Sequence, residues 1–258
     1  MLTGIDHIVI AVHDLDEAMA NYRELGFHVI VGGEHPTGSH NALISFADGA
    51  YIELIAWREP SPDVRWYRLL QNGGGLIDYC MRTDDLDGDL HAFRDGGVTQ
   101  TERRDGGRAR PDGYHIKWVT GRILEPLQGV APFIIEDVTP RDERVPSETT
   151  QPNGVTGIDN LVIAVPETKT LQTWYRRVLN NEGEAITNDA LKGRGLRYNI
   201  GPHTIDYLAP TDDTSPLKAS LDARGPTPFA AAFKTSGDTT GVLDKAKTLG
   251  ARLTLTTS

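Results

Sequence analysis

The sequence predicts an α+β protein built from tandem βαβββ modules, and three observations carry that prediction. The segment Gly4–Val12, GIDHIVIAV, recurs as Gly157–Val165, GIDNLVIAV. The same shift of 153 residues matches Gly4–Arg23 to Gly157–Arg176 at nine of twenty positions and places Glu53 on Asp206 and Gly97 on Gly250. Within each half, a strand, a helix and a glycine stop recur in that order. Ile5–Val12, Asp14–Leu25 and Gly26 form one set; Leu76–Met81, Asp84–Asp95 and Gly96-Gly97 form a second; Phe229–Phe233, Thr239–Leu249 and Gly250 form another. A constant offset over so long a span marks an internal duplication, which governs the architecture.

The first module follows residue by residue. Ile5–Val12 is an apolar run interrupted by His7, which suits a strand buried on both faces. Asp14 with Glu17 three residues on is a capping box, and Leu15, Ala18, Met19, Tyr22 and Leu25 share one helical face. Gly26 stops the helix. Phe27–Val31 is a short strand ended by Gly32-Gly33, and Glu34–Asn41 is a polar loop. Ala42–Phe46 and Tyr51–Ala56 are strands joined by Ala47-Asp48-Gly49, a hairpin loop with Asp-Gly turn chemistry.

The second module repeats this order with Val98–Arg103 as a strand, Asp105–Gly113 as a Gly/Arg-rich loop, and Tyr114–Thr120 and Pro132–Val138 as strands around an insertion at Gly121–Ala131. Thr139–Pro152 is charged, proline-bearing and aperiodic, a linker. The third module has a helix at Glu167–Leu179 and a hairpin of Arg194–Ile200 and His203–Leu208. The fourth lacks its last two strands, so its sheet edge is either open or covered by another segment or subunit. The expected domains are residues 1–138, a linker at 139–152, and residues 153–258.

Composition excludes several functions. A net charge of −10 disfavours nucleic acid, which needs a basic face. The single cysteine, Cys80, cannot form a disulfide within the chain and lies in an apolar run, so a reducing compartment and an inert thiol are expected. No apolar run approaches the ~18–20 residues that span a bilayer. The N-terminal stretch has neither a basic n-region nor a small-residue cleavage site. The expectation is a cytoplasmic protein acting on a small molecule, without membrane or nucleic-acid partners, with a homodimer left open. Gly73-Gly74-Gly75 precedes a strand rather than a helix, so no nucleotide cofactor is expected.

The chemistry concentrates on two strands. His7 shares a face with Ile5, Val9 and Ala11, and Glu53 shares one with Tyr51 and Ile55 inside YIELIAW. A lone strand histidine is most often a core residue bonded to a carbonyl. An imidazole and a carboxylate in buried strands of one module are costly unless they pair with each other or hold a metal. The run Glu102–Arg110, ERRDGGRAR, is a solvated loop by base rate and a holder of an anionic substrate otherwise.

The repeat, GIDHIVIAV and YIELIA together resemble the vicinal oxygen chelate superfamily, which includes glyoxalase I, extradiol dioxygenases and bleomycin-binding proteins. The stretches GGEHPTGSHNALISFADGAYIELIA and APFIIED resemble its glyoxalase-like branch. This resemblance implies half-closed barrels, each formed by two modules around a divalent metal (Mn, Fe, Ni, Co, Mg or Zn) held by first- and fourth-strand residues. It implies His7, Glu53, Asp78 and Glu136 as ligands, with Glu53 or Glu136 as base, and His40 and Asn41 as pocket residues. Trp57, Trp118 and Arg122, near strand ends, complete the candidate substrate contacts. The C-terminal half has Asn160 and Asp206 in the matching places, which disfavours dioxygenase chemistry there. Two functions stand: a metal-dependent lyase or isomerase of a small oxygenated substrate in the N-terminal barrel, and a metal-free small-molecule-binding protein.

Overall fold

A computed structural model describes residues 1–126 and 128–257. Leu127, inside the expected insertion, and Ser258, at the end of the expected C-terminal domain, lie outside the described residues. The chain opens with β1 (Leu2–Ala11), α1 (Leu15–Glu24), β2 (Ile30–Glu34), β3 (Ser39–Ser45), β4 (Tyr51–Trp57) and α2 (Arg65–Gln71). It continues with β5 (Gly75–Thr83), α3 (Leu86–Asp95), β6 (Gln100–Ala109), β7 (His115–Glu125) and β8 (Phe133–Asp137). These eight strands form a ring in the order β1-β4-β3-β2-β6-β7-β8-β5. The ring closes between β2 and β6 through the single pair Glu34↔Ala109, so the barrel is seamed on one side.

After α4 (Arg141–Arg144) come β9 (Val155–Ala164), α5 (Lys169–Val178), β10 (Glu184–Asn188), β11 (Gly193–Ile200) and β12 (His203–Pro210). The chain finishes with α6 (Pro216–Arg224), β13 (Thr227–Thr235), β14 (Gly241–Val242) and β15 (Leu253–Thr257). They build a sheet ordered β10-β11-β12-β9-β13-β15-β14.

Local rules account for much of this. Asp14 caps α1 by accepting from Glu17 N–H at 3.0 Å, and Leu15, Ala18, Met19 and Tyr22 are buried beneath the helix. β1 is buried along nearly its whole length because β4 and β5 flank it and both of its faces are covered.

Four expectations change. Gly32-Gly33 lies within β2 rather than ending a strand. The Gly/Arg-rich stretch expected as a loop is strand through Ala109, and β7 runs to Glu125 inside the expected insertion. At Gly106 a Cβ would sit 2.2 Å from Trp118 Nε1, so glycine makes room for that indole. The segment 239–249 forms no helix. It is a crossover holding the short strand β14 and a run of turns, and it carries β15 to lie parallel to β13, as β8 lies parallel to β5. Of the two outcomes expected for the fourth module's edge, cover by another segment holds: the chain's own β15 pairs with β13 and buries Leu253 and Leu255. Finally, segment 139–152, which lies between the two sheets in the chain, is ordered on the barrel, with Arg144 buried in α4.

One apolar core runs through both sheets, with Phe27 and Phe46 meeting Phe233 across the boundary. Buried polar groups fix the alignment. The Tyr79 hydroxyl donates to Val130 O at 2.7 Å and meets the Tyr207 hydroxyl at 2.7 Å; Tyr207 in turn bonds the Tyr175 hydroxyl. Burial pushes Tyr175 up to about 12, so its hydroxyl stays a donor. His203 Nδ1 accepts from Ile5 N–H at 2.9 Å, so its Nε2–H donates to Asp48 Oδ2 at 3.1 Å. Burial acts upward on the Asp48 carboxyl, but bonds from His203, Ala50 N–H and Ile158 N–H outweigh it and hold the group below the usual range. No helix of the described residues is long and apolar enough to cross a membrane.

Two outcomes follow from these contacts. Tyr207→Phe leaves the buried Tyr175 hydroxyl without its acceptor and lowers stability by about 1–3 kcal/mol in urea unfolding. An unchanged midpoint would show that the chain of hydroxyls contributes nothing. Because the Asp48 pKa is depressed in the folded state, its contribution is present above the unfolded value near ~4 and is lost as pH falls through the folded value. Asp48→Asn therefore destabilises more at about pH 7 than at about pH 3; equal losses at both would contradict the assignment.

Candidate active site

The barrel encloses a cavity of about 1130 Å³ opening beside the β6–β7 ribbon. Strand alternation selects its lining. His7 comes from β1, Tyr51, Glu53 and Ile55 from β4, Asn41 from β3, Trp118 and Arg122 from β7, and Phe133 and Ile135 from β8. Gly106 and Arg108 of β6 complete the wall opposite, and Trp66 of α2 reaches in from below.

His7 is buried at the centre of this arrangement. Its ring stacks on Tyr51 at 4.6 Å and meets the edge of Phe133 at 5.4 Å. Its Nδ1 lies 2.7 Å from Asp6 Oδ1. Asp6 is fully buried; burial acts upward on its carboxyl, but Arg144 and His7 outweigh this and hold it well below the usual range. An ionised Asp6 only accepts, so His7 Nδ1 carries a proton, and in the neutral ring Nε2 presents a lone pair. That Nε2 lies 3.7 Å from Glu53 Oε2. The other carboxylate oxygen, Oε1, accepts from Asn41 Nδ2 at 2.6 Å and lies 3.9 Å from His35 Nε2. His35 Nδ1 in turn shares a hydrogen bond with Ser39 Oγ at 3.1 Å. Burial holds His35 below the usual histidine range, so its ring is neutral near neutral pH.

Arg144 secures this geometry from outside the barrel strands. Its guanidinium reaches Asp6 with two bonds at 3.0 Å, the Tyr51 hydroxyl at 2.9 Å and Asp137 Oδ2 at 3.1 Å. Arg141, one turn earlier, also bonds Asp6. Glycine is required beside the site at Gly32, where a Cβ would lie 2.2 Å from Asn41 Oδ1.

Of the residues singled out by sequence, His7, Glu53, Asn41, Trp57, Trp118 and Arg122 line the cavity. Three others do not join them. His40 points to the opposite face of β3, one position out of phase with Asn41. Asp78 is turned to α2, where it accepts from Trp66 Nε1 at 2.6 Å and Arg65 Nη1 at 3.2 Å. Glu136 is exposed outside the barrel and accepts from Leu86 N–H at 2.9 Å, at the start of α3. The inward positions of β8 are Phe133 and Ile135, so the second module brings no carboxylate to His7 and Glu53. The four-ligand set expected from the resemblance is not assembled.

Sequence reasoning missed His35 and Arg144, and it offered Arg108 only as one member of the run Glu102–Arg110, the less favoured holder of an anionic substrate. Tyr51, on the same face as Glu53, had a readable signal in strand alternation. Arg108 was hidden in a stretch expected to be a loop, Arg144 in an expected linker, and His35 in a polar loop.

Among the described residues, Asp6, His7 and Cys80 offer donor atoms within 4.8 Å of one another. Arginines already neutralise Asp6, its bond occupies His7 Nδ1, and burial pushes the Cys80 thiol well up. These three donors are spent, and the group fits a cation poorly. His7 Nε2 and His35 Nε2 lie 3.7 Å and 3.9 Å from different oxygens of Glu53. Each of these side chains is oriented by a partner on its far side, but the three do not bring their donor atoms within 4.8 Å of one another, so holding one ion requires them to close on it.

The sequence matches the family model of the glyoxalase-like domain over residues 5–179, and the chain belongs to that family, within the vicinal oxygen chelate superfamily. A comparison with curated proteins gives no match. Among solved structures, a hypothetical protein from Staphylococcus aureus aligns over 100% of both chains with TM-score 0.74 and 12% identity. A variant 4-hydroxymandelate synthase from Streptomyces coelicolor aligns with 91% of this chain and 72% of its own, with TM-score 0.57 and 17% identity. A xylose isomerase-like TIM barrel/4-hydroxyphenylpyruvate dioxygenase fusion protein aligns with 92% of this chain and 37% of its own, with TM-score 0.54 and 15% identity. At these identities the likeness is one of fold.

The site predicts its own weak point. Arg144→Met leaves Asp6 buried without its forked partner and costs about 3–5 kcal/mol in denaturant unfolding. Adding Asp6→Asn to that variant recovers part of the loss; a double variant no more stable than Arg144→Met alone would refute the coupling.

Proposed function

We propose that the N-terminal barrel is the catalytic unit of a metal-assisted lyase or isomerase acting on a small oxygenated substrate. One observation carries the reading: two imidazole Nε2 atoms flank one carboxylate inside a single cavity, at 3.7 Å and 3.9 Å. His7, Glu53 and His35 would hold the ion, and two nitrogens with a carboxylate suit Mn, Fe, Co, Ni or Zn better than Mg. When bound, the ion would supply Lewis-acid polarisation of neighbouring substrate oxygens.

The protein's own groups supply the rest. Glu53 is the carboxylate next to both imidazoles, whereas Glu34 and Asp105 belong to the exposed rim. It is therefore the base, receiving a proton at Oε2 while Asn41 holds Oε1. Tyr51 and Phe133 fix the His7 ring. Trp57, Trp66, Trp118 and Ile135 line the walls with apolar surface. The second sheet braces the barrel. There Asp206, at the place of Glu53, is bonded by Arg197 at 2.7 Å and 2.8 Å and is unavailable for chemistry.

The rival reading, a metal-free binding protein, draws support from the apolar Phe133 and Ile135 on β8. Metal analysis of purified and reloaded protein separates the two. His7→Asn, His35→Asn and Glu53→Gln each lose the divalent ion that the wild type binds, while Asp78→Asn and Glu136→Gln keep it. If the wild type takes up no divalent ion and chelator leaves ligand binding intact, the metal-assisted reading fails and the rival stands.

A further inference from the structure

The cavity contains a buried cation that the proposed chemistry does not use. Arg108 is 5% exposed, yet among the described residues it makes no ion pair. Its Nη2 donates to Arg144 O at 2.8 Å, and its Nη1 reaches Asn41 Oδ1 at a long 3.4 Å. Its Nε is buried with no hydrogen-bond partner. Every other arginine lining the cavity has a carboxylate close by: Arg104 and Arg122 face Glu102, and Arg144 faces Asp6 and Asp137. Glu53 does not serve Arg108 directly, because Asn41 stands between them and bonds both.

A buried guanidinium without a directly bonded carboxylate is costly and stays charged, even with Glu53 acting on it through space. It is tolerated where a ligand supplies the counter-charge. Asn41 holds Arg108 next to Glu53, and Gly32 leaves the space for both. The surroundings describe the rest of the ligand. Trp57, Trp66 and Trp118 line the same cavity and offer flat apolar surface. The rim is of mixed charge, with Lys117 and Arg104 beside Glu34 and Asp105, so the preference for an anion rests on Arg108 itself.

We infer that Arg108 is the anchor for a carboxylate on the substrate, so the substrate class is an organic acid with a flat apolar body. The inference deepens the reading of the cavity as a substrate site and rests on it. A guanidinium binds a planar carboxylate with two parallel hydrogen bonds, which would fix the substrate's other end against Glu53. Arg108 is a binding and specificity residue, separate from the proton-transfer pair.

Three of the four tryptophans line the cavity, so intrinsic fluorescence reports its occupation. The test titrates a panel of arylalkanoic acids, beginning with 3-phenylpropanoate, against their neutral amides. The acid is expected to bind about 10- to 100-fold more tightly than its amide. Arg108→Gln removes that preference, and Arg108→Lys retains part of it. Should the glutamine variant fail to fold by circular dichroism, the lysine variant and the wild-type acid–amide comparison decide. The inference is overturned by amides that bind as well as acids, by a preference that survives Arg108→Gln, or by no quenching by any member of the panel. Inorganic phosphate that displaces the acids as well as they displace one another also overturns it, because the site then reads charge alone. The acid–amide preference is read both in chelator-treated protein and in protein reloaded with a divalent ion, and its persistence without metal lets the two readings fail separately.

Discussion

The structure turns on a carboxylate buried where a strand should be apolar. Asp6 sits on β1 with no exposure, and its charge must be met inside the protein. Arg144 meets it, with Arg141 beside it, and both come from a segment that local sequence describes as a linker. That one pairing has several consequences. It docks the crossing segment on the barrel, it draws Tyr51 into the same bond network, and it ties β8 in through Asp137. It also leaves Asp6 ionised beside His7, which sets the proton on Nδ1 and turns Nε2 toward the cavity.

Duplication supplied the framework, and loss of symmetry supplied the site. The strand GIDNLVIAV builds β9 without a histidine, and Asp206 keeps the place of Glu53 but is neutralised by Arg197. In the C-terminal sheet, β15 takes the position beside β13 that β8 holds beside β5, and the strands that would wall a second cavity have no counterpart among the described residues. Leu217 of α6 packs with Val162, Ala164 and Leu208 on the corresponding face. In the proposed reading the second sheet is left with a bracing role. The shared core and the Tyr79–Tyr207–Tyr175 contacts suit that role, because they resist rotation of one sheet against the other.

Much of the fold was legible from local rules. Asp14, Gly26 and the Asp-Gly turn at Asp48-Gly49 act through neighbours only a few residues away, and the first module has the predicted order of elements. The site was legible in part. His7 and Glu53 stand out because a charged group breaks an apolar alternation, and that signal needs no tertiary information. His40 and Asn41 are adjacent, and only the phase of β3 decides which enters the barrel. Glu136 failed for the same reason, since a shift of one residue exchanges inside for outside. The glycines of β2 and β6 misled because they looked like breaks, while their function is to let Asn41 and Trp118 approach the backbone closely.

The sequence by itself determined the repeat, the strand and helix order of the first three modules, and the pair of ionisable residues on the first and fourth strands. These are properties of short segments, governed by periodicity, capping and turn chemistry. Tertiary structure alone decided which partners those residues have. Arg144 lies 138 residues from Asp6, Arg108 lies 67 from Asn41, and His203 lies 198 from Ile5. No local preference encodes such pairings. They exist because the folded barrel removes water from Asp6, Asn41 and the backbone of β1, and each buried polar group then has to find its partner within the protein.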